Sequence, residues 1–291
     1  MVAVSLKKKD IVANTVEEAL GGLETVMGGA FGSAGDKVVI EEYLEGQEVS
    51  LLCFCDGKTA LPMVAVQDHK RAYDGDTGPN TGGMGSYSDA SHALPFLTPA
   101  DITEACRMNE AVIAALGERH GTPYRGVLYG GFMAVSEGVR IIEYNARFGD
   151  PESLNLLTLL EGDAAELFAA AAEGTLDPEQ VSFAARASVC KYVVPEGYPV
   201  DAVKGAEVSI EHVPESVHLY LGSIEAVDGR LLTGGSRTAA VVALGTTIAE
   251  AEALAETAVS AIGGKVFHRR DIGTAAVIER RIAHMNGVRK R

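Results

Sequence analysis

Ile141-Ile142-Glu143-Tyr144-Asn145-Ala146-Arg147-Phe148-Gly149-Asp150-Pro151-Glu152 carries more chemical information than any other stretch of this chain. Its apolar start reads as a strand. Glu143 and Asn145 stand two apart on that strand, so their side chains point to the same face. A carboxylate and an amide oxygen presented together suit a hard cation such as Mg²⁺, which takes oxygen ligands and often bridges substrate phosphates. Arg147, just past the strand end, can grip an oxyanion bidentately. Phe148-Gly149-Asp150-Pro151 then turns the chain into a helix, whose first N–H groups suit a phosphate or carboxylate. The plainer alternative is a strand edge with a solvated Glu and an Asn in a turn. For Glu143 and Asn145 alone that alternative is the stronger, because such pairs are common. The Arg-x-Gly-Asp-Pro-Glu continuation moves the balance toward function.

A long polar stretch comes earlier: Gln67-Asp68-His69-Lys70-Arg71-Ala72-Tyr73-Asp74-Gly75-Asp76-Thr77-Gly78-Pro79-Asn80-Thr81-Gly82-Gly83-Met84-Gly85. It reads as part of a loop over residues 67–91, longer than compact domains usually tolerate without a functional reason. His69, Lys70 and Arg71 form a short cationic cluster. Asp74 and Asp76 add acceptors, and the glycines let backbone N–H groups approach a ligand. A flexible solvent loop has the same composition. A third stretch, Val39-Ile40-Glu41-Glu42-Tyr43-Leu44-Glu45-Gly46-Gln47-Glu48, runs from an apolar strand into acidic residues. It could offer backbone groups to a purine ring and carboxylates to ribose hydroxyls, or be a strand ending in a solvated turn.

The 291 residues carry a formal net charge of −15. A surface this acidic argues against non-specific nucleic-acid binding, which needs a basic footprint. The basic end Arg289-Lys290-Arg291 reads as a solvated helix terminus. No apolar run approaches the ~18 residues of a membrane span, and no export signal is visible, so a cytoplasmic location is expected. Cys53 and Cys55 share one face of a strand. They read as small buried hydrophobes rather than a metal or redox pair.

The predicted elements alternate helix and strand. Thr15 with Glu18 opens a helix to about Met27. Apolar runs on either side of Asp56-Gly57 predict a hairpin between Glu48 and Val66. A long helix follows over residues 99–120. A second hairpin, Val127–Val135 with Val139–Tyr144, precedes two helices, the second opened by Asp163 and Glu166. Strands are expected at Ala187–Val194, Val217–Val227 and Thr238–Ala243. A helix from Ile248 to Ile262 and a last one from about Thr274 complete the chain. A domain boundary is placed near residue 184.

Taken together, three motifs resemble the glycinamide ribonucleotide synthetase family of ATP-grasp ligases: Gln-Asp-His-Lys-Arg, Asp-Gly-Asp-Thr-Gly-Pro-Asn-Thr-Gly-Gly-Met-Gly and Asn-Ala-Arg-Phe-Gly-Asp-Pro-Glu. Thr233-Gly234-Gly235-Ser236-Arg237, Pro195-Glu196-Gly197-Tyr198-Pro199 and Arg270-Asp271-Ile272-Gly273 are similar to that family's C-terminal domain, with an archaeal cast in Cys190-Lys191-Tyr192. The resemblance implies an α+β fold: a partial ATP-grasp lid (1–46), an ATP-grasp core (47–184) and a small mixed α/β C-terminal domain (185–291). It implies ligation of glycine to 5-phosphoribosylamine through a glycyl phosphate, in purine biosynthesis, with ATP and Mg²⁺ or Mn²⁺. By the same resemblance Glu143 and Asn145 hold the metal, and Arg147 and Asp150 face the acyl phosphate. Lys8, Glu41, Glu42, Leu44 and Glu48 serve ATP; Lys70, Arg71, Asp74, Asp76, Asn80, Thr81, Gly82 and Gly83 serve the substrates.

Three departures accompany it. The family's N-terminal domain has no counterpart here, so a separate chain supplying it is an expected partner. Lys8 aligns with a phosphate flap whose two glycines are replaced by Lys7 and Lys9. Gly131 stands where the archaeal branch usually has a Gln that helps hold one metal. Two rival readings follow: an ATP-grasp ligase of another substrate, such as a carboxylase, or a non-catalytic nucleotide- or partner-binding remnant.

Overall fold

The computed structural model describes residues 2–6, 9–13, 15–30 and 37–290. The chain divides into two compact units, Met1–Glu45 and Gly46–Arg291. In the first, strand Val2–Leu6 lies between Lys9–Ala13 and Val39–Glu42, antiparallel to both. Thr15 caps the helix Val16–Thr25 by accepting a 3.1 Å hydrogen bond from the Glu18 N–H. The helix stops earlier than expected, passing into a wider π turn over Val26–Ala30. Val16, Leu20 and Met27 stay exposed, while Val26 is buried.

The second unit is built on two antiparallel sheets. The first runs Gly138–Asn145, Arg125–Val135, Gln47–Asp56, Ala60–Pro62 in spatial order. Strand alternation sorts the Gln47–Asp56 side chains between two cores. Leu52 and Phe54 join Leu156 and Leu159 from helix Glu152–Leu159, and Leu167 and Ala170 from helix Ala164–Glu173. Cys53 and Cys55 point the other way, against Ile113 of helix Pro99–His120 and Leu128. Both thiols are buried, and burial pushes the Cys55 pKa up to about 12, so they sit there as apolar groups. Thr98 and Asp101 form a reciprocal capping box at the start of the long helix. Asp56 closes the hairpin by accepting from the N–H groups of Lys58 and Thr59.

The second sheet decides how the chain closes. Its order is His218–Leu221, Ala239–Gly245, Ala187–Pro195, Gly85–Ser88, Gln67–Asp68, with Val266–Phe267 paired to Ala187–Pro195. Strands from either side of residue 184 therefore share one sheet inside one compact unit. Lys191, fully buried on its central strand, is compensated by Glu252, Glu256 and the Arg270 carbonyl at 2.7–2.9 Å.

The stretch 67–91 is not the single loop expected from composition. Arg71–Tyr73 and Thr77–Asn80 form a small hairpin, and Gln67–Asp68 and Gly85–Ser88 are sheet strands. Gly85–Ser88 finds its partner about a hundred residues away, which local composition cannot reveal. The expected strand Val217–Val227 is two strands, His218–Leu221 and Ile224–Val227, in different sheets. The last helix, Ala275–Val288, ends in a residue that is not merely solvated: Arg289 donates to Asp101 and to the Phe96 carbonyl. Among the described residues no helix is long and apolar enough to cross a membrane.

Candidate active site

The strand carrying Glu143 contains a β-bulge. Gly131 pairs with Glu143 and Phe132 with Ile141, leaving Ile142 as the extra residue. The bulge breaks the alternation, so Ile141 and Ile142 are both partly exposed. Beyond it the alternation resumes: the Asn145 amide donates to Glu143 Oε1 at 3.0 Å, which places both side chains on one face.

A small cleft beside this pair is lined by Glu48, Asp68, Lys70, Tyr129, Gly131 and Glu143. Lys70 Nζ lies 2.6 Å from Glu48 Oε2. Burial disfavours the Lys70 charge, but the Glu48 carboxylate outweighs it and holds the ammonium protonated above its usual range. Glu152, only 2% exposed, accepts from Ser50 Oγ at 3.0 Å and the Tyr129 hydroxyl at 2.8 Å. Asp68 Oδ1 is buried without a hydrogen-bond partner. Burial, reinforced by the nearby Glu152 charge, pushes the Asp68 pKa well up. The donor set fits Mg²⁺: the ion keeps several waters and phosphate oxygens, so one exposed carboxylate and one amide oxygen suffice from the protein. Among the described residues no denser cluster of His, Cys, Asp and Glu competes for a metal. A Cβ added to Gly131 would stand 3.5 Å from Glu143 Cγ, so a side chain there would lie beside the pair.

Past the strand end, Arg147 is exposed, bonds the Phe148 carbonyl at 2.8 Å and lies 5.9 Å from the Tyr129 ring centroid. Asp150 is held from two sides. Its Oδ1 accepts from the Tyr192 hydroxyl at 2.8 Å and its Oδ2 from Arg237 at 2.9 Å. Arg237 also reaches the carbonyls of Gly82, Gly83 and Asp150. The turn before helix Glu152–Leu159 and the Gly82-Gly83 backbone, nearly seventy residues apart, are thereby brought together.

The other loop residues divide. Arg71 donates to the Gly78 carbonyl at 2.8 Å, and Thr81 Oγ1 to the Lys70 carbonyl at 2.9 Å, while Asn80 is exposed. Asp74 accepts from the Arg270 N–H at 2.9 Å. Asp76 is bonded by Arg269, Arg280 and Arg281 at 2.8–3.2 Å. Both carboxylates, expected at substrate, are engaged by residues of the C-terminal stretch.

His69 does not belong to a cationic cluster. It is 1% exposed, and neither ring nitrogen has a hydrogen-bond partner. Burial, with Arg269 and Arg281 adding to it, lowers its pKa to about 3, so the ring is neutral. In the first unit, Glu41 and Glu42 are exposed on Val39–Glu42 and Leu44 is half-buried. Lys8 lies outside the described residues.

The phosphoribosylglycinamide synthetase ATP-grasp (A) domain matches residues 2–153, and the C domain of the same synthetase matches residues 188–275. The chain belongs to this family. It is 52% identical to a phosphoribosylamine–glycine ligase of Methanoregula boonei over 85% of its own length. It is 45% identical to that of Methanocella arvoryzae over 95%. It spans only 58% and 62% of those relatives' lengths. The crystal structure of the Thermotoga maritima phosphoribosylamine–glycine ligase superimposes with a TM-score of 0.77 at 29% identity, over 93% of this chain and 68% of that one. A biotin carboxylase domain from Hydrogenobacter thermophilus superimposes at 0.66 with 15% identity, over 98% and 60% of the two chains, so the two share a fold.

Within this synthetase family fold, sequence reading found the Glu143–Asn145 pair and the Asp150 turn. It assigned no role to Arg237, Tyr192, Asp68 or Glu152. Arg237 carried a faint signal, since two glycines stand just before it at Gly234 and Gly235. Glu152 ends the Asn-Ala-Arg-Phe-Gly-Asp-Pro-Glu motif, but nothing local announces that Ser50 and Tyr129 bond it in a buried position.

Proposed function

We propose that this chain carries the ATP-grasp and C-terminal parts of a ligase that joins glycine to 5-phosphoribosylamine at the expense of ATP, a step of purine biosynthesis. One observation carries the reading. In a chain 52% identical to a phosphoribosylamine–glycine ligase, Glu143 shares a cleft with Asp68 and Lys70, and Arg237 joins the Asp150 turn to the Gly82-Gly83 backbone. In the reaction a glycine carboxylate oxygen attacks the γ-phosphorus of ATP, and the bond to ADP breaks. The amine nitrogen then attacks the acyl carbon, phosphate leaves with the bonding pair, and the nitrogen loses a proton.

Such chemistry needs positioning and charge stabilisation more than a nucleophilic side chain. Glu143 and Asn145 would hold Mg²⁺ or Mn²⁺, which when bound neutralises phosphate charge. Arg147, exposed past the strand end, is suited to the acyl phosphate. Lys70, kept protonated by Glu48, offers a fixed cation in the cleft. The roles of Lys8, Glu41, Glu42 and Leu44 toward the nucleotide, and of Asn80 and Thr81 toward the substrates, rest on the family resemblance. For Asp74 and Asp76, the arginines that bond them favour a scaffolding role over direct substrate contact.

The test is ADP release by this chain combined with the remaining part of the Methanoregula boonei relative. Release that requires both glycine and freshly generated phosphoribosylamine is expected. Release driven by bicarbonate without the amine would instead favour a carboxylase.

A further inference from the structure

We propose that Arg237 is a positioning residue, which locks the Gly82-Gly83 backbone to the Asp150 turn in the arrangement the ligation uses. The proposal rests on the function proposed above. Its physical basis is a set of four hydrogen-bond contacts made by the two terminal nitrogens of one guanidinium. Nη1 lies 2.8 Å from the Gly82 carbonyl oxygen and 3.1 Å from those of Gly83 and Asp150. Nη2 lies 2.9 Å from Asp150 Oδ2. Beneath it, the Tyr192 ring sits 4.5 Å from the guanidinium carbon, and the Tyr192 hydroxyl donates to the other Asp150 oxygen at 2.8 Å. With these donors aimed at protein, Arg237 acts through its partners rather than on a substrate.

The arginine itself is well fixed. Its side chain is 15% exposed, while the Asp150 carboxylate it pairs with is 55% exposed and open to screening by solvent. Its carbonyl accepts from the Ser223 N–H at 2.7 Å, and the next residue, Thr238, bonds the Val193 carbonyl at 2.9 Å on the central strand of the second sheet. A Cβ at Gly82 would stand 3.3 Å from the guanidinium carbon, so the planar group lies close against that backbone. Lysine could keep the charge, but a single ammonium on a flexible stem cannot reproduce the planar fork. The C-terminal stretch therefore contributes to the site through a scaffold of three carbonyls and one carboxylate.

The test compares wild type with Arg237→Ala, Arg237→Lys and Tyr192→Phe in the 291-residue chain. Hydrogen exchange with Mg-ATP present is read at residues 82–85 and 148–150. Both arginine variants are expected to speed exchange in both segments, and Tyr192→Phe mainly in the second. Should Arg237→Ala fail to fold, Arg237→Lys and Tyr192→Phe carry the comparison.

The same variants are then assayed for ADP release in the presence of the remaining part of the Methanoregula boonei relative. The arginine variants should lose roughly 10²-fold in kcat, the scale of a small misplacement of reacting groups. KM for ATP should stay within about threefold of wild type. Unchanged exchange at 82–85 overturns the proposal, and so does retained kcat or a rise in KM for ATP that matches the fall in kcat. If wild type itself releases no ADP with glycine and phosphoribosylamine, the functional reading fails, and the exchange measurement alone decides whether Arg237 locks the two segments.

Discussion

Glu143 was legible because a strand has a period of two: a residue and its second neighbour share a face whatever the rest of the chain does. The bulge at Ile142 precedes the pair and leaves it intact. Glu143→Ala removes the only charged member of the pair, so Mg-ATP affinity measured by calorimetry should fall at least about tenfold, the worth of one charge-assisted contact. Affinity equal to wild type would remove Glu143 from the metal site. His69 was misread for the opposite reason. Its neutrality comes from burial and from Arg269 and Arg281, about two hundred residues away. The folded pKa, about 3, lies below the unfolded value near 6.5, so the unfolded chain binds more protons between those values. The stability this histidine contributes is complete above about pH 6.5 and is lost as pH falls toward 3. Urea unfolding should therefore show a loss of about 2 kcal/mol between pH 7 and pH 5 attributable to this group. His69→Gln should show a smaller loss over the same interval. An identical pH slope in both proteins would mean that the ring is not held neutral.

Helices and turns with local causes are legible in the sequence. The helix Pro99–His120 has its start and stop written into it: Thr98 with Asp101 and Pro99 at the front, and Gly121 in the left-handed conformation behind. The Asp56-Gly57 turn is also local, since Asp56 binds the N–H groups two and three residues on. The stretch 67–91 reads as one loop along the sequence because its order is borrowed from distant strands and arginines. Gly83 measures how tightly it is packed. Its φ of +111° suits only glycine, and a Cβ there would lie 2.4 Å from Pro151 Cδ and 2.8 Å from Asp68 Oδ1. Gly83→Ala is expected to cost about 2–3 kcal/mol of stability through strain and clash. Gly117→Ala, inside the long helix with nothing within 4 Å of the added carbon, should instead stabilise by about 0.5–1 kcal/mol. Thermal unfolding of the two variants should move in opposite directions, and a mild effect at Gly83 would show that the loop has room to relax.

For the whole molecule, the prediction concerns autonomy. The chain spans 58% of the length of its Methanoregula boonei relative. Its first unit leaves Val16, Leu20, Met27, Val39 and Ile40 more than half exposed. Apolar exposure of this kind favours association. The 291 residues alone are expected to self-associate in sedimentation experiments and to release ADP poorly, with turnover rising when the remaining part of the relative is supplied. Monodisperse behaviour with robust turnover by the chain alone would contradict both expectations. The class of elements, the paired Glu143 and Asn145, and the family are legible along the chain. Each depends on a local period, a local cap or a contiguous motif. Tertiary structure alone decided that Gly85–Ser88 joins the sheet of the C-terminal stretch, that His69 is neutral, and that Arg237 ties Gly82 and Gly83 to Asp150. Those outcomes depend on charges and backbone partners separated by roughly 90 to 210 residues, whose meeting is set by how the two sheets close rather than by any pattern along the chain.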